Sequence, residues 1–243
     1  MLENLKKWLG GGTAPKSDHA ALMDWAAQRQ FAFRAVSKED GVVIDGRLGA
    51  LPWRLEWGPS QRPYVSGREL RLRAEPGLPP TLQLLVINRE LSVALEKAVF
   101  DEYVEGVQTR IDTSTPPEMR WLVMFPKLSG SELGVLRERY VAVSGSKPWL
   151  QRWLDGALGA ALLTAPGTPA DPLVLMIGRG RLMLRSACAE PTIDAIESWL
   201  MVFECALREA RRVQEEFGGN ESPSTQPSLW SASAMPGDPP PPP

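Results

Sequence analysis

The chain has 243 residues, 43% of them apolar and 23% charged, with a net charge of −2, enough apolar material for one large domain or two small ones. A single histidine, His19, and two cysteines, Cys188 and Cys205, leave few means of building histidine- or cysteine-dependent chemistry. The slightly acidic balance argues against nucleic acid as the main partner, because such binders concentrate basic charge.

Arginine outnumbers lysine 20 to 7, which reads as coding from a GC-rich, bacterial genome rather than as chemistry. The first residues, MLENLKKWLGGG, hold no apolar region of signal-peptide length. No apolar stretch approaches the ~20 residues of a membrane span. The expectation is a cytoplasmic chain with no transmembrane segment, its two thiols buried and reduced.

In chain order, Asp18 can cap a helix running to Arg29 with Leu22, Trp25 and Ala26 on one face. Strand signals follow at Phe31–Ala35, Val42–Asp45 and Trp53–Trp57, the last two separated by the turn-rich Gly46–Pro52. In Glu69–Ala74 the alternation turns Leu70 and Leu72 inward and Glu69, Arg71 and Arg73 toward water. With the apolar run Leu82–Ile87, these segments predict an antiparallel meander with one wet face.

Glu90–Tyr103 has helical spacing. A second strand group is expected at Val107–Asp112, Arg120–Phe125 and Arg139–Val143, followed by a helix over Lys147–Thr164 that Gly156 and Gly159 weaken. Leu173–Ile177, Gly178-Arg179-Gly180 and Arg181–Ser186 read as a hairpin. Pro191 to Phe217 reads as an amphipathic helix with Ile193, Ile196, Leu200, Phe203, Leu207 and Ala210 on one stripe.

This order predicts an α+β fold with mainly antiparallel sheet in two strand groups and packed helices. A faint echo between Ser66–Pro76 and Gly178–Pro191 raises two related lobes as one arrangement. The expected organisation is a flexible N-terminal segment 1–17, a first α+β lobe 18–104, a second 105–217, and a disordered Pro/Ser-rich tail 218–243.

Candidate chemistry is sparse. Ile111-Asp112-Thr113-Ser114 suggests a carboxylate-and-hydroxyl hydrolase, but no second Asp-Thr-Gly/Ser supplies the partner carboxylate that an aspartic dyad needs. The Gly-x-Gly at Gly178–Gly180 precedes a strand and lacks a third glycine, so it predicts a turn, not a nucleotide site. His19 is expected on a helix's first turn. No cofactor, metal or catalytic residue is assigned.

Nine tryptophans occur, most of them on apolar faces; Trp8 and Trp230 instead fall in segments expected to be loose, where an exposed Trp suits partner contact. Arg68, Arg71, Arg73, Arg181 and Arg185 would form an anion-attracting face if their strands were neighbours, diluted by Glu69, Glu75 and Glu190. Leu2, Leu5, Trp8 and Leu9 with Lys6 and Lys7 suit weak contact with an anionic membrane. The five prolines Pro239–Pro243 favour polyproline II. The expected function is non-enzymatic contact with an unidentified protein partner, through Trp8, Trp230, Arg71 and Arg73, with a hydrolase around Asp112 or a peripheral membrane protein as alternatives.

Overall fold

The computed structural model describes residues 19–36, 40–105 and 115–218. The expected strand Val107–Asp112, the residues Asp112, Thr113 and Ser114, both termini with Trp8 and Trp230, and the cap at Asp18 lie outside the described residues.

The fold is α+β. Helix α1 (Ala20–Gln28) precedes strands β1 (Ala32–Val36), β2 (Gly41–Leu48), β3 (Leu51–Pro59), β4 (Arg68–Ala74) and β5 (Leu84–Asn88). Helices α2 (Arg89–Glu105), α3 (Pro117–Met124) and the single turn α4 (Gly130–Leu133) follow, with a 3-10 helix over Gly134–Glu138. The chain continues through β6 (Tyr140–Ser144), α5 (Lys147–Leu154), α6 (Ala157–Leu163), the hairpin β7 (Leu173–Gly178) and β8 (Arg181–Ala187), and α7 (Ile193–Gly218).

All eight strands form one antiparallel sheet in the order β1-β2-β3-β4-β8-β7-β5-β6. The meander therefore stops at β4. Contrary to the sequence expectation, β5 leaves it to pair with β6 and β7, and the hairpin β7–β8 fills the gap. The two echoing segments lie side by side, Leu72 opposite Leu184.

Alternation sorts the sheet side chains between two cores. On one face Ile44, Leu55, Leu72, Leu84, Leu175 and Leu184 pack under α1, α5, α6 and α7, in a cluster that α7 enters through Ile196, Trp199, Phe203 and Leu207. Each such side chain contributes roughly 1.5–3 kcal/mol when removed from water. On the other face Leu85, Ile87, Val141, Val143, Val174 and Met176 pack under Leu91 and Leu95 of α2 and Met119, Trp121 and Leu122 of α3. This second cover spans β5, β6 and β7. On the same face of β2, β3 and β4 the side chains are mostly charged, and Val43 and Glu69 among them are buried.

Three further expectations are corrected. Arg120–Phe125 is not a strand but most of α3, which starts on Pro117, where a missing N–H costs nothing. Lys147–Thr164 is two helices, broken at Asp155-Gly156, where Gly156 has φ 92°. The turn inside Gly46–Pro52 is confined to Gly49-Ala50, the strands running on to Leu48 and from Leu51. The hairpin loop has Arg179 at φ 53° and Gly180 at φ 75°, the two left-handed residues that a tight turn between twisted strands requires.

Candidate functional site

On the face that carries Val43 and Glu69, the alternation brings the polar residues of β2, β3, β4 and β8 into rows. Register sets Asp45 opposite Arg54, Glu56 opposite Arg71, and Arg71 opposite Arg185. Arg54 holds Asp45 at 2.6 and 3.2 Å, Glu56 meets Arg71 at 3.5 Å and Arg73 at 3.1 Å, and Arg181 meets Glu75 at 2.7 Å. The strands carrying these arginines are neighbours, yet each cation has an acidic partner. Arg68 is not part of this face: it lies on the other side of β4, stacked 3.7 Å over the Trp57 ring.

Glu69 departs most from the sequence reading. It does not face water: its carboxylate is fully buried. One oxygen accepts from Arg185 at 2.7 Å, and the other from Arg71 at 3.1 Å and the Gln61 backbone N–H at 3.0 Å. Burial pushes the carboxyl pKa up, but these donors outweigh it and hold the group below its ordinary range.

Beside it, Glu118 of α3 is equally buried and accepts from the Arg62 guanidinium and the Tyr64 hydroxyl of the β3–β4 loop. Its second oxygen has no partner in the described structure. Burial, then the Glu118 charge, pushes the Tyr64 phenol well above its ordinary value. Two buried carboxylates thus fasten one loop to two strands and a helix.

His19 lines a cleft. The cleft has a volume of about 760 Å³ and runs between the start of α1, Trp57 and Arg68, and the Glu190–Asp194 approach to α7. His19 Nε2 lies 3.9 Å from Asp40, and Asp40 3.8 Å from Arg68. The Thr192 hydroxyl accepts from the Ala195 N–H and so caps α7. Among the cleft's described lining residues no serine or cysteine stands as a nucleophile, and the Thr192 hydroxyl is engaged as the helix cap.

The thiols do not supply one. Cys188 and Cys205 are free and buried; burial raises the Cys188 thiol to about 11 and moves Cys205 in the same direction. Among the described residues no three of His, Cys, Asp and Glu come together as a metal site, and no helix is long and apolar enough to cross a membrane.

Of the sequence-proposed contact residues, Arg73 is half exposed and Arg71 is mostly covered, both engaged with glutamates. The tryptophans among the described residues are all buried, three of them donating across the core: Trp25 to Glu197, Trp57 to the Cys188 carbonyl and Trp153 to the Ala206 carbonyl.

The helical cover contributes a surface that periodicity alone did not single out. Val93 and Phe100 of α2 and Val123 and Met124 of α3 point outward, and the Lys127–Glu96 ion pair at 2.7 Å ties the end of α3 to the middle of α2. The signal was present in the seven-residue spacing of Val93 and Phe100, on the side away from Leu91 and Leu95. Comparison with protein-family models, with curated proteins and with solved structures finds no match to this chain.

Proposed function

We propose that this protein works by contact rather than catalysis, binding an amphipathic helical segment of a partner protein along the outer face of α2 and α3. The observation that carries the reading is Phe100, 65% exposed on a helix whose opposite side is firmly packed, with Val93 a further two turns along the same stripe. Contiguous exposed apolar patches, as distinct from single exposed side chains, mark interaction surfaces, and Val93 and Phe100 share one stripe of α2. On α2 the acidic Glu90, Glu96, Asp101, Glu102 and Glu105 outnumber the basic Arg89 and Lys97, which favours a partner helix with basic flanks. Arg73, Trp8 and Trp230 would add contacts at the margins. A reducing, cytoplasmic setting suits two free buried thiols.

The test is a photo-crosslinking amino acid placed in the full-length chain at Phe100 or, as control, at the exposed turn residue Ala50, in cells that naturally make the protein. The reading expects crosslinks at Phe100 to map, by mass spectrometry, to one amphipathic basic segment, and to vanish with Val93→Asp. Equal crosslinking at Ala50, or crosslinks mapping to non-helical acidic segments, would overturn it.

A further inference from the structure

We propose that the groove at the end of α7 is the docking site of this chain's own proline run, Pro239–Pro243. The groove holds about 330 Å³ between the β4–β5 connection and the last turn of α7, with Pro79, Leu82, Trp149 and Phe217 as its apolar wall and Gln83 and Gln214 at its rim. Phe217 is 40% exposed there. The Trp149 indole N–H is buried and has no acceptor in the described structure, an arrangement that leaves a donor without its hydrogen bond.

The occupant follows from chemistry and connectivity. Proline has no backbone N–H, so a proline run laid in a groove leaves only carbonyls to satisfy. The groove's lining offers donors in the side-chain amides of Gln83 and Gln214 and the hydroxyls of Thr81 and Ser146. Aromatic grooves bind such runs because polyproline II is preformed and little ordering entropy is lost; five residues extend about 16 Å. The chain leaves α7 at Gly218, itself part of the groove wall, and Pro239 follows after residues 219–238. A linker of that length spans about 25 Å root-mean-square, ample to return to its own origin. It sets an effective concentration on the order of millimolar, which a competitor must exceed. This site is separate from the α2–α3 surface and does not depend on it.

The test measures binding of a fluorescein-labelled peptide of residues 235–243 to the full-length chain. It is compared with a full-length variant carrying serine in place of each of Pro239, Pro240, Pro241, Pro242 and Pro243, positions outside the described residues. If the run occupies the groove in cis, the serine variant binds the peptide at least about tenfold more tightly than the parent. Adding Phe217→Ala to that variant weakens binding at least about tenfold. In parallel, amide exchange over residues 79–83 and 214–217 accelerates in the serine variant. Equal affinity for parent and variant would mean the groove stands open to other proline-rich chains, and overturns self-occupancy. Absence of binding to both, or indifference to Phe217→Ala, overturns the site itself.

Discussion

Glu69→Ala is the sharpest probe of the buried charge network. The substitution strips Arg185, itself 9% exposed, of its carboxylate at 2.7 Å, and leaves the Gln61 N–H without an acceptor, while Arg71 retains Glu56. Removing one partner of a buried pair costs about 3–5 kcal/mol, because the surviving charge stays desolvated. At about 2–4 °C per kcal/mol for a body of this size, the melting temperature falls by about 6–20 °C. The pair Glu69→Leu with Arg185→Leu should cost less than the sum of its parts, with a coupling of up to about 3 kcal/mol. Acid adds a second readout. The folded Glu69 carboxyl lies below its unfolded value of about 4.3, so its contribution is full above that pH. It is lost as pH falls through the lower, folded value, and Glu69→Gln removes that loss. Urea unfolding followed by circular dichroism at 222 nm, at pH 7 and across pH 5 to 2.5, measures both. The reasoning fails if Glu69→Ala stays within about 0.5 kcal/mol of the parent, or if the two leucine substitutions are additive.

Other expectations follow from packing and burial. In Gly178→Ala the new Cβ would fall 2.5 Å from the Trp121 ring, which seals α3 on the sheet; a loss of about 1–3 kcal/mol is expected in urea melts, and unchanged stability would mean the ring moves freely. Arg179→Asn relieves a left-handed residue beside Gly180 and should raise stability by up to about 1 kcal/mol; a decrease would show that the Arg179 side chain matters more than its backbone. With Cys188 at about 11 and Cys205 raised, neither thiol should react with a disulfide reagent at pH 8 in the folded chain, and both should react in denaturant. Labelling of the native protein at the rate of a free thiol would contradict their burial.

Strand alternation was readable because each face of the sheet meets a different environment: Leu70 and Leu72 point to the main core as their spacing requires. What alternation misses is a polar residue covered from a distance. Glu69 keeps the polar register, yet it bonds the Gln61 end of a loop that Glu118 of α3, about fifty residues further along the chain, holds through Arg62 and Tyr64, and charge type alone could not foretell that. The run MRWLVMF deceived for another reason. It is short, carries Trp121, Val123 and Phe125 at alternate positions, and only Pro116-Pro117 ahead of it announced a helix. Strand order was beyond pattern reading, since β4 and β5 are consecutive in the chain and the hairpin that separates them is specified by nothing local. The outward side chains of α2 were visible in the spacing, but solvent exposure on a helix is too common to single them out.

That inserted hairpin has a consequence for assembly. Until residues 173–187 emerge, β4 and β5 each present a bare backbone ladder, the template on which foreign strands most readily accrete. Closure of the sheet must bridge about a hundred residues of sequence, so contacts of long separation dominate and the process is slow for its size. Nascent chains halted before Leu173 are therefore expected to clump, and those released just after Ala187 to stay dispersed.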